Sequence, residues 1–273
     1  MRPAEGAPLS QDEHKDGQDK HELYELCVQS PELLAPLLRA IHGGEPEFLA
    51  EDFCGTGALS RHWASLGGRS FAADHDESVL TRAAAASVTT RLADVSKLTP
   101  ADHPPADVLF VGNFSIGEIH DRPSLVEYLR VAFERTAPGG VFVCDTYGGE
   151  TSFLVGDTQR EYRKDGRRVL YRWEQREANP LTGMVIDAIH FRVIGSSGEL
   201  EADFPDAFVY EWRLWSVPEL RDAMLEAGFE STAVYNSLPD AVDDEGNAYV
   251  EEVTDPDRLG ENFIVCVAAR KSG

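Results

Sequence analysis

The run Phe48-Leu-Ala-Glu-Asp-Phe-Cys-Gly-Thr-Gly57 constrains this chain more than any other stretch. A short apolar segment ends in an acidic pair, and a glycine-containing turn leads into Ala58-Leu-Ser-Arg-His-Trp-Ala-Ser-Leu66, which has a helical pattern. Strand, glycine turn, helix is the unit by which an α/β sheet presents backbone N–H groups and a helix N-terminus to a ligand. Gly55 and Gly57 let the backbone approach such a ligand where a Cβ would collide. Alone, the unit is common. The residues downstream of it give it weight.

Ser70 to Ala73 reads as a second strand ending in Asp74-His-Asp76, followed by an alanine-rich helix from Glu77 to Ala86. Val88 to Leu92 reads as a third, closed by Ala93-Asp-Val95, and Asp107 to Val111 as a fourth, running into Gly112-Asn-Phe-Ser-Ile-Gly-Glu-Ile-His120. Pro123 to Thr136 is an amphipathic helix with Leu125, Tyr128, Leu129 and Phe133 inward. It is stopped by Pro138-Gly-Gly140 ahead of a fifth strand, Val141 to Cys144, which ends in Asp145-Thr-Tyr147. Strands alternating with helices predict a doubly wound, mostly parallel seven-stranded sheet covered on both faces.

Upstream, residues 1–20 are polar and read as a mobile tail, and 21–44 as a helical segment. In that segment Ser30 and Pro31 start a helix whose Leu33, Leu34, Leu37, Leu38 and Ile41 share one face. The α/β core is expected over 45–150. From 151 to 212 the pattern changes to long β-rich runs broken at Asp165-Gly166, Asn179-Pro-Leu-Thr-Gly183 and Gly195-Ser-Ser-Gly198, which predicts an inserted antiparallel meander. The remainder of the core, 213–273, opens with the capping box Ser216-Val-Pro-Glu219 and ends in two strands, Thr232 to Tyr235 and Phe263 to Ala269. An acidic exposed loop, 240–261, lies between them.

With 273 residues, 42% of them hydrophobic, the chain can bury one large core or a core with a small subdomain. A net charge of −23 argues against nucleic acid and anionic membranes as partners. No apolar run approaches the roughly 20 residues that span a bilayer, and the N-terminus lacks a signal-peptide pattern. Cys27, Cys54, Cys144 and Cys266 are widely separated, which predicts reduced, buried thiols and a cytoplasmic protein. Scattered histidines and cysteines lack metal-site spacing, so no metal is expected.

Ligands of open α/β sheets sit beyond the carboxyl ends of the strands, beside strand one. Here those ends carry Glu51 and the glycine turn, Asp74, Asp94 and Asn113. A carboxylate ending strand two can accept from both hydroxyls of a ribose, and one about twenty residues on can accept from an adenine amino group. This set resembles the class I S-adenosylmethionine-dependent methyltransferases. Their acid-x-Gly-x-Gly-x-Gly motif matches Glu51-Asp-Phe-Cys-Gly-Thr-Gly57, with Phe53 in place of the first glycine. Their second acid falls on Asp74, their adenine-side acid on Asp94, and their fourth-strand motif on Asp107 to Asn113. The Ala137-Pro-Gly-Gly140 turn fits as well.

The resemblance implies that S-adenosylmethionine is held by Glu51, Phe53, Cys54, Gly55, Gly57, Asp74, His75, Asp94, Val95, Asn113 and Phe114, with Phe53 narrowing the pocket beside the methionine moiety. The meander is similar to the lid of small-molecule N-methyltransferases. The chain also resembles a bacterial group sharing Tyr171-x-Trp-Glu-Gln175, His190-Phe191 and Trp212-Arg-Leu-Trp-Ser216. The implied partner is a small-molecule methyl acceptor, with nitrogen ahead of oxygen, and a homodimer is allowed for.

Methyl transfer needs the acceptor positioned against the methyl carbon, water excluded and, where required, a proton removed. His120, after strand four, is the first candidate base, against the plainer reading of a solvated loop histidine. Tyr147 and Tyr24 are candidates to orient an acceptor or close over the cofactor, or else simply pack. Arg172, Glu174, His190 and Arg213 on the meander are candidate acceptor contacts, although half-exposed strands show the same alternation. Two other functions fit the fold: a nicotinamide-dependent oxidoreductase, weakened by the missing third glycine after Gly57, and a protein that binds S-adenosylmethionine without turnover.

Overall fold

The structure, a computed structural model, describes residues 19–273. The tail expected at residues 1–20 lies outside these except for its last two positions, which are structured. Asp19 accepts from the His21 N–H and caps α1 (Lys20–Val28). Helix α2 (Pro31–His42) has Ser30 at its N-cap, but the hydroxyl makes no capping hydrogen bond; Pro31 at the first position sets the helix instead. Its inward face is Ala35, Leu37, Leu38 and Ile41, whereas Leu33, expected inward, is exposed.

The chain then alternates: β1 (Phe48–Asp52), α3 (Ala58–Ser65), β2 (Arg69–Asp74), α4 (Glu77–Ala83), β3 (Val88–Leu92), β4 (Ala106–Val111), α5 (Arg122–Arg135) and β5 (Thr136–Gly149). Strand β5 absorbs the Pro-Gly-Gly turn expected to precede it, at a register shift against β4. Four antiparallel strands come next: β6 (Gly156–Lys164), β7 (Arg167–Asn179), β8 (Met184–Ile194) and β9 (Leu200–Arg213). Helix α6 (Val217–Ala227) carries the expected capping box in full and leads to β10 (Ser231–Asn236). The acidic loop holds a two-residue ribbon of β11 (Ala241–Val242) and β12 (Ala248–Tyr249) before β13 (Asn262–Arg270) closes the chain.

The main sheet has seven strands in the order β10-β13-β5-β4-β1-β2-β3. Strands β1 to β5 are mutually parallel, and β13 runs antiparallel to both β5 and β10. Chain order reverses between β1 and β4, and that switch point is where such sheets bind ligands. Burial on both faces explains the unbroken apolar runs. Leu109 and Val111 of β4 meet α5 and α6, while Val108 and Phe110 meet α2 and α3. Each such buried side chain contributes about 1.5–3 kcal/mol, so this two-sided packing is the main source of stability.

The four-stranded sheet has its own core. Val169, Ile189, Phe191 and Val193 pack against Leu23 and Cys27 of α1, so this helix rides on the inserted sheet while α2 belongs to the α/β body. The inserted sheet is rooted beside the β4 exit. Leu214 N–H donates to the Gly183 carbonyl, Thr146 Oγ1 to that of Trp215, and the Trp215 indole to that of Ile119. A Cβ on Gly117 would lie 2.9 Å from Trp212 Cβ, so glycine there lets the root of β9 seat against the turn after β4.

Candidate functional site

A cavity of about 200 Å³ opens beyond the carboxyl ends of β1, β2 and β4, between the α/β body and the inserted sheet. Its floor is the turn after β1. Phe53, Gly55 and Gly57 all adopt left-handed backbone (φ 55°, 53° and 65°), and Phe53 does so without glycine's freedom from Cβ strain. Phe53, Cys54, Gly55 and Thr56 line the cavity. Gly57 does not: a Cβ there would meet Ala83 Cβ at 2.6 Å, so its smallness serves the α3–α4 contact rather than a ligand, contrary to the expectation.

Glu51, expected at the cofactor, is buried beneath the turn. Its Oε2 accepts from Ser60 N–H (3.0 Å) and Ser60 Oγ (2.5 Å), capping α3. Burial raises its carboxyl to about 7 against those hydrogen bonds. Asp74 does face the cavity. Its Oδ2 accepts from Gly55 N–H (2.8 Å) and its Oδ1 from Asp76 N–H (3.0 Å), so one carboxylate braces the two loops that line one wall. His75, Asp76 and Val79 extend that wall, while Asn113, Ser115 and Glu118 line it from the β4 side. The Cys54 thiol is held protonated by burial, its pKa raised well above the ordinary value.

Other expected residues lie elsewhere. Asp94 caps a short 3₁₀ turn (Val95–Lys97), its carboxylate taken by Lys97 and Ser96, which lower it to about 2. Val95 is buried in the core, and neither residue lines the cavity. Asn113 and Phe114 are both left-handed, and their N–H groups converge on the Asp145 carboxylate at 2.9 and 2.7 Å. Burial raises Asp145 to about 6. Phe114 and Asp145 line a second, smaller cavity of about 10 Å³, room for about one water, together with Tyr147, Val185, Trp212 and Arg213.

His120, the first candidate base, is exposed and lines neither cavity. Its Nε2 lies 2.8 Å from the Glu211 carbonyl, so its ring pins β9 instead of reaching an acceptor. Tyr24 is at the large cavity, its hydroxyl beside that of Tyr210 and its pKa raised by burial to about 12. Its edge meets the Phe208 ring at 5.0 Å. Tyr147 sits under the sheet, with its hydroxyl 3.1 Å from Gln175 Oε1 and 3.3 Å from Asp187 Oδ2. Both phenols stay protonated near neutrality and act as hydrogen-bond partners, not bases.

Of the four meander candidates, three are occupied with one another. Glu174 pairs with Arg172, Arg176 and His190, and the buried His190 accepts the Asp206 N–H on Nδ1 at a register shift in the β8–β9 pairing. None of Arg172, Glu174 and His190 lines either cavity. Arg213 borders the small cavity, stacked 3.8 Å over the Trp215 ring and bonded to Glu219 and the His120 carbonyl.

Four residues that the sequence motifs do not single out are prominent here. Gln29 Oε1 and Thr56 Oγ1 are buried, line the large cavity and have no hydrogen-bond partner among the described residues. Asp145 organises the β4 exit, and Asp187 is fully buried beside Tyr147. Only Asp145, at the end of a strand, is visible by position. Among the described residues no group of three or more His, Cys, Asp or Glu side chains could hold a metal ion, and no helix is long and apolar enough to cross a membrane.

No protein-family model matches this sequence, and no curated protein does. Solved structures do match. DesVI of Streptomyces venezuelae superposes with a TM-score of 0.68 at 18% identity, covering 92% of this chain and 96% of its own. The sugar N-methyltransferase KedS8 of a Streptoalloteichus species gives 0.64 at 15%, covering 100% of both chains. An S-adenosylmethionine-dependent methyltransferase of Clostridium acetobutylicum gives 0.63 at 18%, covering 93% and 98%. The fold is that of the S-adenosylmethionine-dependent methyltransferases.

Proposed function

We propose that this protein transfers a methyl group from S-adenosylmethionine to a small-molecule acceptor in the cytoplasm, with nitrogen favoured over oxygen as the atom methylated. The observation that carries this reading is the cavity at the switch point, where two buried polar atoms, Gln29 Oε1 and Thr56 Oγ1, await a partner. Buried polar atoms cost free energy unless satisfied, so a wall that keeps two of them open is shaped for a polar ligand.

The residues present fit the cofactor. Each Asp74 oxygen accepts one backbone N–H and retains a lone pair for a ribose hydroxyl. His75, Asp76 and Val79 would flank the base, in place of the expected Asp94, and the turn from Phe53 to Thr56 would hold the amino-acid end. When bound, the cofactor supplies a methyl carbon on a positively charged sulfur, open to in-line attack. The chain's own part is to position and to exclude water: Tyr24, Phe208 and Tyr210 roof the cavity with aromatic surface. One structural neighbour is a sugar N-methyltransferase, and an acidic surface attracts cationic amines; both support nitrogen as the acceptor atom.

Calorimetry with S-adenosylhomocysteine tests the reading, with NAD as the competing ligand. The wild type should bind the first and not the second. Asp74→Ala should weaken that binding roughly 10- to 150-fold, the loss of a charge-assisted hydrogen-bond pair. Binding of NAD alone, or an Asp74→Ala variant that binds as tightly as wild type, sinks the assignment.

A further inference from the structure

The inserted sheet turns an aromatic face toward the α/β body, and one acid stands in that face. Asp187 shares a face of β8 with the buried Val185 and Ile189, opposite Gln175 of β7 and Tyr210 of β9. It is 0% exposed, and its Oδ1 meets no hydrogen-bond donor among the described residues. Among the described residues no charged group acts on it; the titratable groups that face it are the phenols of Tyr147 from β5 and Tyr210 from β9. Tyr147 lines the small cavity and Tyr210 the large one; Asp187 lines neither itself and stands behind one wall residue of each.

Proton counting shows what the site lacks. The Gln175 amide is oriented by donating to the Ser152 and Leu154 carbonyls (3.0 and 2.9 Å), which turns its Oε1 toward Tyr147. The single Tyr147 proton therefore faces two acceptors, Gln175 Oε1 and Asp187 Oδ2. A second proton on Oδ2, donated to the Tyr147 oxygen, closes the set. Burial favours that protonated form, raising Asp187 to about 7. Oδ1 is still left without a donor.

We propose that Asp187 is the docking point for the amino group of the methyl acceptor, which Oδ1 receives beside the rings of Tyr147 and Tyr210. The inference rests on the methyl-transfer reading and narrows its acceptor to amines. A cation over aromatic rings and against a buried carboxylate is held by both. As the ammonium arrives, the proton on Asp187 leaves for solvent, and one proton then remains between nitrogen and carboxylate. When it sits on the carboxylate, the nitrogen is neutral and its lone pair is free, the state an acceptor needs.

The test is calorimetry on the full chain saturated with S-adenosylhomocysteine, at about pH 6, below the point where Asp187 ionises. The probes are glucosamine against glucose and phenethylamine against phenethyl alcohol, each in two buffers of different ionisation enthalpy. At least one amine should bind about tenfold or more tighter than its alcohol, releasing close to one proton. Asp187→Asn should lose both the preference and the proton release while binding S-adenosylhomocysteine as wild type does. An Asp187→Asn variant that keeps the preference, or a wild type with none in either pair, overturns the proposal. Failure of S-adenosylhomocysteine to bind wild type overturns the methyl-transfer reading instead, so the two failures are separable. Should Asp187→Asn not fold, infrared difference spectroscopy on wild type decides: amine binding must remove a protonated-carboxyl band, and its persistence refutes the docking role.

Discussion

Among the described residues two aspartates are fully buried, and their surroundings are opposite. Asp52, ending β1, is gripped by both terminal nitrogens of Arg135 at 2.7 Å and by the Tyr128 hydroxyl at 2.7 Å, while Arg135 Nε donates to His103. Asp187, in the inserted sheet, has one phenol and no cation. Burying an ion without its partner is costly, so the first arrangement reads as architecture and the second as a place held for something else. Asp52 is satisfied within the α/β body; Asp187, in the inserted sheet, leaves one oxygen open.

The largest test breaks the satisfied site. Arg135→Met leaves Asp52 buried and unpaired and should cost about 3–5 kcal/mol in urea titrations. A loss under about 1 kcal/mol would mean that water reaches Asp52 and that the contrast is false.

A smaller effect sharpens the other side. Asp187 is raised from its ordinary 3.8 to about 7, so the folded chain keeps a proton that the unfolded chain gives up. The stability this contributes is full below about pH 4 and is lost as pH rises through about 7, each tenfold difference in proton affinity being worth about 1.4 kcal/mol. Glu51 and Asp145, raised to about 7 and about 6, act in the same direction over the same window. Melting curves of Asp187→Asn across that range should therefore show a shallower decline than wild type, not a flat one. An unchanged slope would mean that Asp187 is ionised throughout.

The smallest effect is expected at the root of the inserted sheet. His120→Ala removes one exposed hydrogen bond to β9 and should cost about 1 kcal/mol or less, with turnover within a few-fold of wild type. A collapse of turnover at unchanged stability would restore His120 as a base.

The α/β half is legible in the sequence because its signals are local. Apolar runs, the turn after β1 and an acid at the end of β2 each show within a few residues, and the sheet order accords with their alternation. The site is legible only in part, since its chemistry is settled by partners far apart in the chain. Arg135 reaches Asp52 across 83 positions and Tyr147 reaches Asp187 across 40, separations that no periodicity reveals. Local partners are hidden too. Asp94 and His120 look free in the sequence, but Ser96 and Lys97 bond to the first and the β9 backbone to the second. Phe53 departs from the glycine motif, and its left-handed backbone explains why glycine is the easier residue there.

Helix α1 lends His21 and Tyr24, and its C-cap Gln29, to the cavity wall, and its two sides hold on by different forces. Toward the inserted sheet its grip is apolar, through Leu23 and Cys27. Toward the α/β body it relies on partly exposed ion pairs, Glu25 with Arg61 and Asp19 with Arg82. Dissolved salt screens the second grip and spares the first, so raising the ionic strength weakens the hold of α1 on the α/β body and leaves its hold on the inserted sheet.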